Sequence, residues 1–159
     1  MTFSGVSTVG VVGLGNTGLP LALSFANDGV LTTGLDTDQA KIDALRAGRS
    51  YLPSVSADAL VATADWFEPT SDPARLAGLD SYVLCVPVPR GLHGVVDLRQ
   101  LESAADALAP LLRRGSAVEV RSAVPPGAVT RVAARLAVGS GLRPGADFQV
   151  TAPSGAAAA

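Results

Sequence analysis

The sequence predicts an α/β fold: a doubly wound parallel sheet of about six strands, single-domain, with helices on both faces. Three observations carry that expectation. Short β-branched, apolar runs alternate with stretches of helical period along the whole chain. The run SYVLCVPVP (81–89) has no polar alternation, which suits a strand covered on both sides. The first apolar run leads into VVGLGNTGLP (11–20), whose three glycines close a strand and open a helix.

The elements follow in order. STVGVVGL (7–14) is apolar and β-branched and reads as a strand. TGLPLALSFAN (17–27) reads as a helix with Pro20 in its first turn, where the missing N–H has no intrahelical partner to lose. VLTTGLD (30–36) is a second strand. TDQAKIDALRAG (37–48) is a helix with Asp38 as N-cap and Gly48 as terminator. Residues 56–63 form a short helix, 66–69 a short strand, and DPARLAG (72–78) opens on a capping Asp and closes on Gly. After the strand at 81–89, residues 97–115 place Leu98, Leu101, Ala105, Leu108 and Leu112 at helical spacing, with Asp97 as N-cap and Gln100 in the capping-box position. A strand at 116–122, a helix at 127–137 and a last strand at 147–153 complete the pattern. Right-handed crossovers then give the strand order 3-2-1-4-5-6.

Composition narrows the class. The 159 residues fit one core, of which 48% are hydrophobic and 16% charged, too apolar for a disordered chain. The net charge is −2 and Lys41 is the only lysine, so neither a nucleic-acid backbone nor an anionic membrane is an expected partner. The start lacks a basic segment followed by an apolar one, and no apolar run approaches the roughly 20 residues of a membrane span. The single cysteine, Cys85, excludes an internal disulfide. A cytoplasmic protein is the expectation.

The glycines spell Gly13-x-Gly15-x-x-Gly18 between a strand and a helix, and Asp36 ends the next strand. In a Rossmann-type fold Gly13 permits the tight turn, Gly15 admits a pyrophosphate to the backbone, and Gly18 lets the helix pack on the sheet. No charged side chain lies before residue 28, so backbone amides and the helix's positive end would hold the phosphates alone. Asp36 would accept from the ribose hydroxyls and repel a 2′-phosphate, which favours NAD over NADP. The bland alternative is a glycine turn that only joins strand to helix, with Asp36 as a cap.

Four stretches carry a resemblance: VGLGNTGLPLA (12–22), GLDTDQAKIDALRAGRSYLPSVS (34–56), LCVPVP (84–89) with DLRQLESAADALAPLLRRG (97–115), and RSAVPPGAV (121–129). Together they resemble the N-terminal domain of the UDP-glucose/GDP-mannose dehydrogenase family, and most of all its branch acting on UDP-N-acetylhexosamines. The resemblance implies oxidation of a sugar C6 alcohol to a carboxylate with two NAD, through a cysteine thiohemiacetal. It also implies that the nucleophilic Cys and its partner Lys belong to middle and C-terminal regions outside these 159 residues. Three further positions depart from the family. VPTP reads VPVP, so Val88 stands for a cofactor-contacting Thr; a second Thr, holding cofactor and a catalytic water, is Ala123; and a catalytic Glu is Ser154 in APSG (152–155). Val and Ala side chains donate no hydrogen bond. The candidate cofactor-binding set is Gly13, Leu14, Gly15, Asn16, Thr17, Gly18, Asp36, Lys41, Pro87, Val88 and Ala123, with no catalytic and no metal-ligating residue.

Other singular residues read more plainly. Cys85 is expected as a small core hydrophobe and His93 as a surface residue. Arg121, at a strand end, is either a phosphate contact or a solvated side chain. The dinucleotide-binding region is assigned to 1–153 and an Ala-rich flexible tail to 154–159. Three functions compete. One is the NAD-binding part of a UDP-sugar 6-dehydrogenase, inactive alone and partnered by a UDP-sugar or a separately encoded catalytic domain. The others are a non-catalytic nucleotide-binding module and a relic that binds nothing.

Overall fold

A computed structural model of the chain describes residues 5–153; the expected tail at 154–159 lies outside the described residues. Six parallel strands form one sheet in the order β3-β2-β1-β4-β5-β6, as the alternation predicts. They are β1 (Thr8–Val12), β2 (Leu31–Leu35), β3 (Phe67–Thr70), β4 (Ser81–Leu84), β5 (Ala117–Val120) and β6 (Gln149–Thr151). The helices are α1 (Gly18–Asn27), α2 (Gln39–Arg46), α3 (Ala57–Ala62), α4 (Arg99–Leu108) and α5 (Ala128–Ser140). The chain runs outward from β1 to β3, returns through a short 3₁₀ turn at Pro73–Leu76, and resumes on the other side of β1 as β4. That reversal between β1 and β4 is the switch point where such sheets open a crevice.

Strand side chains alternate between faces, so an apolar strand feeds two cores at once. Val9, Val11 and Val83 pack with Leu19, Ala22 and Leu23 of α1 and Ile42 and Leu45 of α2. Val12, Tyr82, Leu84, Val118 and Val120 pack with Leu101, Ala105 and Leu108 of α4 and Val132 and Leu136 of α5. The caps read from sequence hold at Asp38, which accepts from the Ala40 amide at 3.0 Å, and Asp72, which accepts from Ala74 at 3.0 Å. Ser56 caps α3 through the Ala59 amide at 3.1 Å.

The two largest boundary differences fall at prolines; elsewhere β1 ends at Val12 rather than at 14, and α5 runs on to Ser140, past the expected 137. The strand expected over 81–89 ends at Leu84, and the following segment contains Pro87 and Pro89, which have no N–H to continue a ladder. The helix expected over 97–115 is α4 alone, tightening into a 3₁₀ turn at Ala109–Leu111 around Pro110. Leu98, not Asp97, takes the cap position. Asp97 still accepts from the Arg99 amide at 3.0 Å. Its own amide donates to the Pro89 carbonyl at 2.8 Å, so Gln100 has no capping-box partner.

Two polar groups secure the sheet's other end. Tyr82 is fully buried; its hydroxyl donates to the Leu76 carbonyl at 2.7 Å and accepts from the Leu79 amide at 3.0 Å. Tyr82→Phe should leave that amide unpaired and cost about 1–3 kcal/mol, read as a lower urea midpoint at unchanged slope. Asp147 receives the Arg143 guanidinium and amide and the Arg114 guanidinium, which lower its pKa from 3.8 to about 2. A carboxyl whose folded pKa is depressed stabilises above its unfolded value and loses that contribution as pH falls through the folded one. Stability should therefore decline between pH 3.8 and about 2. Asp147→Asn should flatten that part of an acid titration followed by circular dichroism.

Candidate functional site

The C-terminal ends of β1, β2, β4 and β5 meet at one edge. Beyond Val12, Gly13 turns the chain with φ +94°, and its amide donates to the Leu35 carbonyl at 2.8 Å. A Cβ on Gly13 would stand 2.9 Å from the Cys85 carbonyl carbon and oxygen. A Cβ on Gly18 would stand 1.7 Å from the Gly13 carbonyl oxygen, a hard collision. Gly15 differs from both. A Cβ there would meet nothing within 4 Å, and its φ lies outside the left-handed region. Gly13 and Gly18 are thus demanded by the fold, whereas Gly15 faces open space.

The turn leaves a row of donors. Among the described residues no acceptor serves the amides of Gly15, Asn16, Thr17 and Gly18; Leu19 is the first to bond back, to Gly15 at 3.1 Å. Thr17 is the N-cap of α1, yet its side chain makes no capping bond, and the first turn carries no acidic residue. A ten-residue helix presents its positive end with no internal counter-charge. That is the geometry that attracts a phosphate.

Asp36 follows β2 and faces this turn. Its Oδ2 accepts from the Leu14 amide at 2.9 Å and lies 3.6 Å from Lys41 Nζ; its Oδ1 accepts from the Asp38 amide at 2.9 Å. Each carboxylate oxygen retains lone-pair capacity for another donor. Leu14 spends its amide here and buries its side chain fully, so it offers a ligand neither. The sequence reading gave no role to Tyr51, in the connector after α2. Its hydroxyl donates to the Leu14 carbonyl at 2.6 Å, and Lys41 Nζ stands 5.5 Å from its ring centre. Burial, reinforced by Asp36 and Asp38, raises this phenol to about 12, so it keeps its proton. The available signal was a lone aromatic in a polar connector within a chain that is 4% aromatic.

The β4 and β5 loops reach the same edge. The Ser122 hydroxyl donates to the Val86 carbonyl at 2.7 Å, tying the two loops together. Pro87 and Ala123 are exposed, and Val88 leans on the α4–α5 core. Cys85 sits just past β4 against the α1 core, and burial pushes its thiol up to about 11. It is therefore a thiol at neutral pH and a poor nucleophile. Arg121 keeps a third of its side chain exposed, and its Nε donates to Glu119, whose side chain is 3% exposed. The second Glu119 oxygen has no partner. His93 is exposed, and Ser154 lies outside the described residues. Among the described residues no group of three or more His, Cys, Asp or Glu is arranged to hold a metal, and no helix is long and apolar enough to cross a membrane.

Comparison with known proteins agrees with this geometry. The model of the "UDP-glucose/GDP-mannose dehydrogenase family, NAD binding domain" matches residues 7–153. The UDP-N-acetyl-D-mannosamine dehydrogenase of Salmonella typhi is 32% identical over 146 residues, 89% of this chain and 33% of that protein. The NDP-N-acetyl-D-galactosaminuronic acid dehydrogenase of Ralstonia nicotianae is 33% identical over 144 residues, with the same coverage. Among solved structures, the UDP-D-ManNAc dehydrogenase of Pyrococcus horikoshii superposes with a TM-score of 0.84 at 31% identity, covering 90% of this chain and 35% of that one. A ternary complex of GDP-mannose dehydrogenase from Pseudomonas aeruginosa gives 0.82 at 28% identity, with 90% and 35% covered. The chain spans about a third of the length of the relatives it matches.

The three glycines should separate under substitution. Gly18→Ala should not reach the native fold, because backbone blocks the added methyl. Gly15→Ala should melt within a few degrees of the parent in a thermal scan, since its methyl meets no atom and Gly-to-Ala changes alter stability by only about 1 kcal/mol.

Proposed function

The chain belongs to the UDP-glucose/GDP-mannose dehydrogenase family, as its NAD-binding domain, and on that footing we propose which residues hold the cofactor and what the chain does with it. The diphosphate lies on the amides of Gly15, Asn16, Thr17 and Gly18, with Gly13 setting the turn and Leu14 giving it position. Asp36 accepts from the adenosine ribose, and Lys41 steadies that carboxylate. Pro87, Val88 and Ala123 border the nicotinamide half. NAD, when bound, supplies a hydride acceptor for the oxidation of a UDP-sugar alcohol. The observation that carries this reading is Gly15: nothing in the fold requires a glycine there, whereas a ligand resting on the backbone does.

The isolated chain binds NAD without turning over substrate. The side chains of Val88 and Ala123 offer no hydrogen-bond donor where the family resemblance expects threonines, and Cys85 is held as a thiol. A catalytic region, on the same polypeptide or on another, and a UDP-sugar are the partners this reading calls for. The same two residues favour a second reading, a nucleotide-binding module with a regulatory role. The two readings differ in whether added catalytic sequence restores oxidation.

Calorimetry with NAD and NADP tests the cofactor site. NAD should bind, and NADP should bind roughly tenfold or more weakly, because its 2′-phosphate meets the Asp36 carboxylate. At 100 times its dissociation constant NAD should stabilise the fold by about 2.7 kcal/mol. Gly15→Ala should abolish that gain. No NADH absorbance should develop with UDP-sugars. A chain that melts identically with and without NAD sinks the proposal, and turnover by the purified chain sinks the inactivity.

A further inference from the structure

Leu14 is held by both of its backbone polar groups. The Leu14 amide goes to Asp36 at 2.9 Å, and the Leu14 carbonyl takes the Tyr51 hydroxyl at 2.6 Å. Leu14 precedes Gly18 by four residues, so its carbonyl is the acceptor to which the Gly18 amide would turn if the helical pattern ran one turn further back. In the structure it does not; the Gly18 amide has no acceptor among the described residues. Tyr51 arrives from 37 positions away on a connector that is itself fixed. The Arg49 amide bonds the Ala44 carbonyl at 2.8 Å, the Leu52 amide bonds Ser50 Oγ at 3.1 Å, and Val55 is buried in the α1 core.

We infer that Tyr51 is a positioning residue of the dinucleotide site: by occupying the Leu14 carbonyl, its hydroxyl keeps the Gly18 amide free to bind a diphosphate. The inference rests on the cofactor site proposed above. Tyr51 itself touches no phosphate. It sets the plane of the Leu14 peptide, which fixes where Gly15 and the next three amides point. Its ring also flanks Lys41, so the adenosine side and the diphosphate side of the site share one anchor. Raised to about 12, the phenol keeps its proton at neutral pH and remains a donor there.

Tyr51→Phe removes the hydroxyl and keeps the ring. Calorimetry with NAD, ADP and adenosine on parent and variant separates a positioning role from general loosening. NAD and ADP should lose roughly five- to tenfold in affinity, the scale of one neutral hydrogen bond, while adenosine, which has no diphosphate, should not change. Amide exchange by NMR supplies a second readout without ligand. The Gly18 amide should exchange freely in the parent, slow when ADP is added, and be protected in ligand-free Tyr51→Phe as it turns to the Leu14 carbonyl. Equal losses for all three ligands, or unchanged NAD affinity in the variant, overturn the inference. So does a Gly18 amide already protected in the ligand-free parent, a result that stands even if the variant does not fold. A parent that binds none of the three ligands overturns the cofactor site itself and the inference with it; a parent that binds beside a variant that binds equally well overturns the inference alone.

Discussion

Helix α1 starts so close to the end of β1 that no methyl group fits between them. The rest of the site depends on that approach. It requires glycine at 18, forces the turn at Gly13 against Cys85, and delivers the first amides of α1 to the crevice at the strand-order reversal. Because the helix begins there uncapped, its unpaired donors face outward together rather than being spent inside. The attraction for an anion is thus a by-product of close packing, and it needs no charged side chain.

The carboxylate at the tip of β2 works on both levels. Asp36 is anchored by two backbone amides, which fixes its orientation in the absence of any ligand. One of those amides belongs to the glycine turn, so in the proposed site the carboxylate set toward the ribose also steadies the turn set toward the phosphates. Lys41 and Tyr51 extend the coupling into α2 and the connector beyond it. Of the three glycines in the turn, Gly15 alone has no structural demand on it, since an added Cβ there meets nothing.

The strand order and the glycine turn were legible because both rest on local rules: apolar period, and the steric freedom of residues without a Cβ. The boundaries that moved most did so at prolines, at Pro87, Pro89 and Pro110, and apolar period alone does not register a missing N–H. Asp36 was legible from its distance to the glycines. Tyr51 was not, because its partner lies 37 residues away and no periodicity connects a loop phenol to a turn carbonyl. Glu119 was readable in part. An acid inside the apolar SAVEVRS, with Arg two positions on, places both side chains on one sheet face. What the alternation does not disclose is that the acid is buried and that one of its oxygens has no partner.

That pair has an evolutionary consequence. Glu119 is nearly sealed from water, and Arg121 is its one ion-pair partner among the described residues. Losing the arginine alone would strand a buried charge, far costlier than replacing both residues with apolar ones of similar size. The two positions are therefore epistatic in one direction: the arginine is barred from changing first, whereas Glu119 can change before it, because Arg121 is a third exposed and its charge would stay in water.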